Sequence, residues 1–122
     1  MWRTDRLFFG LGIVAALAGM LLGLHMAGSE DFTLSPVHAH VNLVGWVSMA
    51  LFGLAYRAGI ARNDRWARVH FWVAAAGTVV MPIGIAVFLL GGAHAGALIG
   101  SLLTLASMLL FGVNVVRARN DA

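Results

Sequence analysis

Pro36-Val37-His38-Ala39-His40-Val41-Asn42-Leu43-Val44-Gly45-Trp46 sets two imidazoles at the head of an apolar run that continues to Tyr56. A run from Val37 to Tyr56 suits a helix across a hydrocarbon core of about 30 Å, which takes about 20 residues. An ionisable ring in such a segment is costly and marks a candidate site. Successive residues on a helix turn by about 100°, so His38 and His40 point to roughly opposite sides and cannot both reach one metal ion. Each is a half-site that needs a partner from elsewhere.

Working outward, three further apolar runs have spanning length: Leu7 to Met26, Val69 to Leu90 and Ala95 to Val116. With 61% hydrophobic residues, 11% charged residues and 15 glycines in 122 positions, the chain has too little polar surface to coat a soluble globule. The expected fold is an all-α membrane protein with four transmembrane helices, forming one domain over residues 1–122. The first run reads as a retained helix and not a secretory signal. Its apolar stretch is longer than a typical signal core, and no clear small-residue cleavage site follows it.

The net charge of +3 is no nucleic-acid signal, because all eight basic residues are arginines at helix ends. Arg3 and Arg6 precede the first span, Arg57, Arg62, Arg65 and Arg68 fill the second connection, and Arg117 and Arg119 follow the last span. Formal charge in the opposite connections is limited to Glu30 and Asp31. The positive-inside rule then predicts cytoplasmic termini in a bacterial-type inner membrane, with the lipid bilayer as partner. The absence of cysteine excludes disulfides and thiolate ligation. Asp5, Glu30, Asp31, Asp64 and Asp121 all fall outside the predicted spans, so proton pumping is not expected, and any enzymatic activity would be that of an oxidoreductase.

In the loop before the second span, Ser35 is the expected N-cap and Pro36 the first helical residue. His38 and His40 then occupy the opening turns, near the outer surface. His25 ends the first helix and His94 lies in the outer turn Gly91 to Gly96, so four of five histidines are expected near one face. His70, beside Arg68, reads as a polar anchor at the inner interface. Along the second helix Asn42, Gly45, Met49 and Tyr56 follow the His38 side, whereas Val44, Val47, Leu51 and Leu54 follow His40. A flat macrocycle needs a residue with little side chain where it approaches, and Gly45 is suitably spaced. Neutral imidazole ligates haem iron, copper and zinc. The candidate cofactor-binding residues are therefore His38, His40, Gly45 and Asn42, with His25 and His94 as additional ligands. Gly19 with Gly23, and Gly96 with Gly100, are small-xxx-small pairs for close helix approach. Met49, Met81 and Met108 are expected as core filling, and Trp66 and Trp72 as an inner aromatic belt.

His38-Ala39-His40 followed by Leu43-Val44-Gly45-Trp46 resembles the tenth transmembrane helix of subunit I of the haem-copper oxidase superfamily. Ala67-Arg68-Val69-His70-Phe71-Trp72, then Gly77 and Met81-Pro82, is similar to elements of the eleventh helix. The resemblance covers about half the chain. It implies that His38 matches a high-spin haem ligand and His40 a low-spin one, on opposite sides of the helix, and that His70 matches a residue that is not a ligand. A full oxidase or nitric oxide reductase subunit has about twelve helices in three arcs of four. This chain looks like one arc, the last four helices, and lacks the copper-ligand motifs.

These readings lead to a membrane haem b-binding protein for electron transfer or for binding nitric oxide or oxygen. Two geometries stay open. A head-to-tail homotrimer would pair His40 of one chain with His38 of the next. A single chain would pair His38 or His40 with His25 or His94. The alternatives are a copper- or zinc-binding protein using the outer histidines, and a non-catalytic oxidase-like subunit or assembly factor docking on a respiratory partner.

Overall fold

The computed structural model describes residues 3–121. Four helices, α1 (Thr4–Ser29), α2 (Ser35–Arg57), α3 (Arg65–Leu89) and α4 (Ala95–Asn120), are each long and apolar enough to cross a membrane. No strand occurs among the described residues. A 26-residue helix such as α1 is about 39 Å long, so its ends stand beyond a hydrocarbon core of about 30 Å. All four helices exceed the predicted runs at the arginine-rich end. There α3 starts at Arg65, not Val69, because the Asp64 side chain accepts the Trp66 N–H at 2.9 Å and caps the first turn. Gly59 (φ 74°) and Gly91 (φ 94°) supply the left-handed backbone that turns the chain after α2 and α3.

Polar contacts gather the start of α1, the connection 58–64 and the end of α4 at one end of the bundle. Thr4 Oγ1 donates to Asn63 Oδ1 at 2.7 Å, the Arg62 N–H donates to the Asn114 carbonyl at 2.9 Å, and Arg62 pairs with Asp121 at 2.8 Å. Asp5 differs from its expected place outside the spans. It lies buried in the first turn of α1, held by Arg3 at 3.5 Å and Arg57 at 3.2 Å.

Glycine seams join the helices in two pairs. Along α3 and α4, Gly84 meets the backbone of Gly96 and Ala97, and Gly100 meets the backbone of Met81, with no room for a Cβ at either glycine. Along α1 and α2, Gly12 faces Trp46, Gly19 faces Asn42 and Gly23 faces His38. Backbones brought this close gain dispersion that lipid cannot supply. Phe8, Met49, Phe52, Tyr56, Ala67, Phe71 and Ala74 form the core near the arginine-rich end. Met49 and Met81 fill space as expected, whereas Met108 is 52% exposed and faces outward. Trp66 and Trp72 are exposed, as a belt requires.

Helix α2 changes character in the segment quoted above. It opens at Ser35 with Leu34 in the cap position. The Ser35 hydroxyl turns back to the Phe32 carbonyl at 2.8 Å instead of capping the helix. Val41–Val47 is then wound as a π-helix. Asn42 Nδ2 donates to the His38 carbonyl at 2.7 Å, the acceptor that the Asn42 backbone N–H would use in an α-helix. At the far end both the N–H and the hydroxyl of Ser48 go to Leu43, five residues back. Such π turns recur at functional sites.

Candidate functional site

The two faces of α2 separate in large part as the periodicity predicts, except that Val44, expected on the His40 side, is half-buried and faces the interior. Gly45, Met49 and Tyr56 are buried, while Val47, Leu51 and Leu54 are 41%, 58% and 53% exposed. His38, on the inward side, lies half-buried against α1. His40, on the outward side, is half-exposed.

Both imidazoles are anchored through the same ring nitrogen. His38 Nδ1 lies 2.8 Å from the Gly19 carbonyl and His40 Nδ1 lies 2.6 Å from the Pro36 carbonyl. A carbonyl oxygen has no hydrogen to give, so each Nδ1 is the donor. In the neutral ring that leaves Nε2 as the lone-pair nitrogen. Asn42 Nδ2, 3.4 Å from His38 Nδ1, is also a donor, and the contact is therefore a close approach, not a hydrogen bond. Anchoring one nitrogen to a backbone carbonyl fixes the tautomer and orientation of a ligating histidine.

Small residues on α1 make the His38 side possible. A Cβ at Gly23 would lie 3.0 Å from His38 Cε1, and one at Gly19 would lie 2.5 Å from Asn42 Nδ2. Gly45 departs from the expectation of an open face for a macrocycle. It is buried, and a Cβ there would lie 2.7 Å from Ala15 Cβ and 3.4 Å from Thr78 Cγ2. Helix packing uses this glycine, because Ala15 of α1 and Thr78 of α3 close over it. Asn42 likewise spends its amide on the His38 carbonyl inside the chain.

His25 and His94 are exposed, and His94 packs edge-on to Phe88 at 6.3 Å. Among the described residues no three His, Asp or Glu side chains group closely enough to hold a metal ion.

His70 overturns its reading as an interfacial anchor. It is wholly buried at 0% exposure, ringed by Phe8, Phe52 and Phe111. Asn114 Nδ2 donates to the Tyr56 hydroxyl at 2.9 Å, which leaves Tyr56 to donate to His70 Nδ1 at 2.9 Å. His70 is then protonated at Nε2, which donates to Ser107 Oγ at 3.2 Å. Arg117 continues the chain by donating to Asn114 Oδ1 at 3.1 Å and to Asp64 at 2.6 Å. Those hydrogen bonds from Arg117, helped by the Trp66 N–H, hold the Asp64 carboxyl below its ordinary range. Both nitrogens of His70 are thus committed, whereas Nε2 of His38 and of His40 keeps its lone pair. The signal for this network is three polar residues, Tyr56, His70 and Asn114, near the arginine-rich ends of three different spans.

Together these features define a four-helix protein of transmembrane character with two carbonyl-anchored histidines back to back on one helix. Comparison of the chain with protein-family models, characterised proteins and solved structures returned no match.

Proposed function

We propose that the chain is a membrane haem b-binding protein in which His38 and His40 ligate iron through Nε2, acting in electron transfer or in binding a diatomic gas. The observation that carries this reading is the shared anchoring of Nδ1 to backbone carbonyls, at 2.8 Å for His38 and 2.6 Å for His40. Two imidazoles so prepared fit the donor set of haem iron. Haem supplies one-electron exchange when both axial positions are filled, and nitric oxide or oxygen binding when one is open. The resemblance to the last four helices of haem-copper oxidase subunit I favours haem over another cofactor.

The two half-sites lie on opposite sides of α2, and His25 and His94 are exposed and ungrouped. This supports a head-to-tail homotrimer, in which His40 of one chain and His38 of the next serve one haem. The arginine-rich end is cytoplasmic in this reading, because every basic residue lies there. The membrane is a bacterial-type inner membrane, where a respiratory electron donor is the expected partner.

Reduced-minus-oxidised visible spectra of protein from haem-replete cells, with and without carbon monoxide, test the proposal. A haem b spectrum that is lost in His38→Ala and in His40→Ala supports it. A colourless wild-type protein, or a spectrum that survives both substitutions, overturns it. Carbon monoxide sensitivity would select gas binding over electron transfer.

A further inference from the structure

A cavity of about 50 Å³ lies between α2, α3 and α4, lined by Ser48 on α2, Thr78 on α3, and Thr104 and Ser107 on α4, with apolar residues such as Met49 and Phe52 beside them. It is separate from His38 and His40. Thr78 Oγ1 is buried with no hydrogen-bond partner, alone in this among the side chains of the described residues. An orphan hydroxyl in a membrane interior is costly unless something not of the chain satisfies it. Sequence removes a backbone donor to the same residue. Pro82, inside α3, has no N–H to give to the Thr78 carbonyl four residues back. Ordered water is one of the agents that re-satisfy backbone groups freed by proline in membrane helices.

The four hydroxyls are complementary to a water molecule. Ser48 already gives its hydrogen to the Leu43 carbonyl at 3.0 Å and Thr104 gives its own to the Gly100 carbonyl at 2.9 Å, so each presents only lone pairs to the cavity. Thr78 has its hydrogen uncommitted, and Ser107 accepts from His70 Nε2, which leaves the Ser107 hydrogen to donate. Two donors and two acceptors match the two lone pairs and two hydrogens of water. The volume of about 50 Å³ exceeds the roughly 10–15 Å³ that one water needs.

We infer that this cavity is a water-binding site between α2, α3 and α4. The bound water joins Ser48, Thr78, Thr104 and Ser107 into one hydrogen-bonded unit, which continues through Ser107 to His70, Tyr56 and Asn114. It makes three helices depend on a single solvent molecule where the surrounding medium offers none.

Water-edited solid-state NMR on the full chain in liposomes tests the site. Magnetisation transferred from water is expected at Thr78 and Ser107 at mixing times when the lipid-facing Ile83 and Leu109 remain dark. In Thr78→Val the transfer to Ser107 is lost and the thermal midpoint falls. Transfer to Thr78 and Ser107 no stronger than to Ile83 and Leu109 in the wild-type protein overturns the proposal. So does a raised midpoint in Thr78→Val, which is the behaviour of a dry cavity relieved of an orphan hydroxyl. The wild-type spectrum decides the matter alone should Thr78→Val fail to fold, and neither readout depends on haem.

Discussion

His38 gives its Nδ1 hydrogen to the Gly19 carbonyl on the neighbouring helix, 2.8 Å away, and this bond ties the ring to a place where α1 has no side chain. Gly19 also admits Asn42, whose amide would meet a Cβ at 2.5 Å. Gly19→Val is therefore expected to push α1 from α2 and to cost about 1–3 kcal/mol by overpacking. Thermal unfolding in detergent checks the stability. On the proposed function, the same variant loses its haem spectrum while still folding at low temperature.

Removing the His70 ring strands two partners at once, the Tyr56 hydroxyl and Ser107. His70→Ala is expected to cost about 3–5 kcal/mol from the cavity and the unpaired groups together. Tyr56→Phe leaves His70 Nδ1 and the Asn114 amide without a partner and costs about 1–3 kcal/mol. The double variant should be less damaging than the sum of the singles, because both disrupt one network. A strictly additive result in thermal or chemical unfolding would contradict the hydrogen-bonded chain described above.

The pH dependence follows from Asp64, whose carboxyl is held low chiefly by Arg117. A carboxyl with a depressed folded-state pKa contributes stability that is full above its unfolded value, about 3.9, and is lost as pH falls through the lower folded value. Asp64→Asn keeps a capping side chain but loses the charge, and should cost on the order of 1 kcal/mol at neutral pH. Midpoints measured from pH 7 downward should show wild type and variant converging in the acid range below the unfolded value. A gap that persists at the lowest pH would count against the ion pair as its source.

Two glycines on α4 should respond oppositely to alanine. A Cβ on Gly100 would run into the Met81 backbone, whereas one on Gly112 meets nothing within 4 Å. Gly100→Ala is expected to destabilise by about 1–3 kcal/mol through helix separation. Gly112→Ala should be neutral or stabilising by up to about 1 kcal/mol, since alanine is the better helix former. Side-by-side melting curves decide, and equal effects at the two sites would be inconsistent with the α3 to α4 seam.

Hydropathy made the four spans legible because a stretch of that length without charge has few other uses. Their ends were not, since Asp64 and Arg117 extend α3 and α4 by hydrogen bonds between residues 53 positions apart. The inward and outward sides of α2 followed from spacing alone, yet spacing says which side Gly45 takes and not what covers it. Ala15 and Thr78, from two other helices, cover it. The π turn was hidden for another reason: it depends on which acceptor the Asn42 amide chooses, and the same residues would also permit an α-helix. His70 was misjudged because its partners, Tyr56 and Ser107, come from different spans, so no local window contains the network.

The π turn at Val41–Val47 gives α2 one residue more than an α-helix of the same rise would hold. It works as a phase shifter between the two halves of the helix. Upstream of it the azimuth of His38 and His40 is set against α1, and downstream Met49, Phe52 and Tyr56 are set against the aromatic core. Winding the same residues as a regular α-helix would rotate one half against the other by about 100°. The histidines could then keep their bearing only if the core lost its own, so the orientation of the pair is encoded in the winding between it and Ser48.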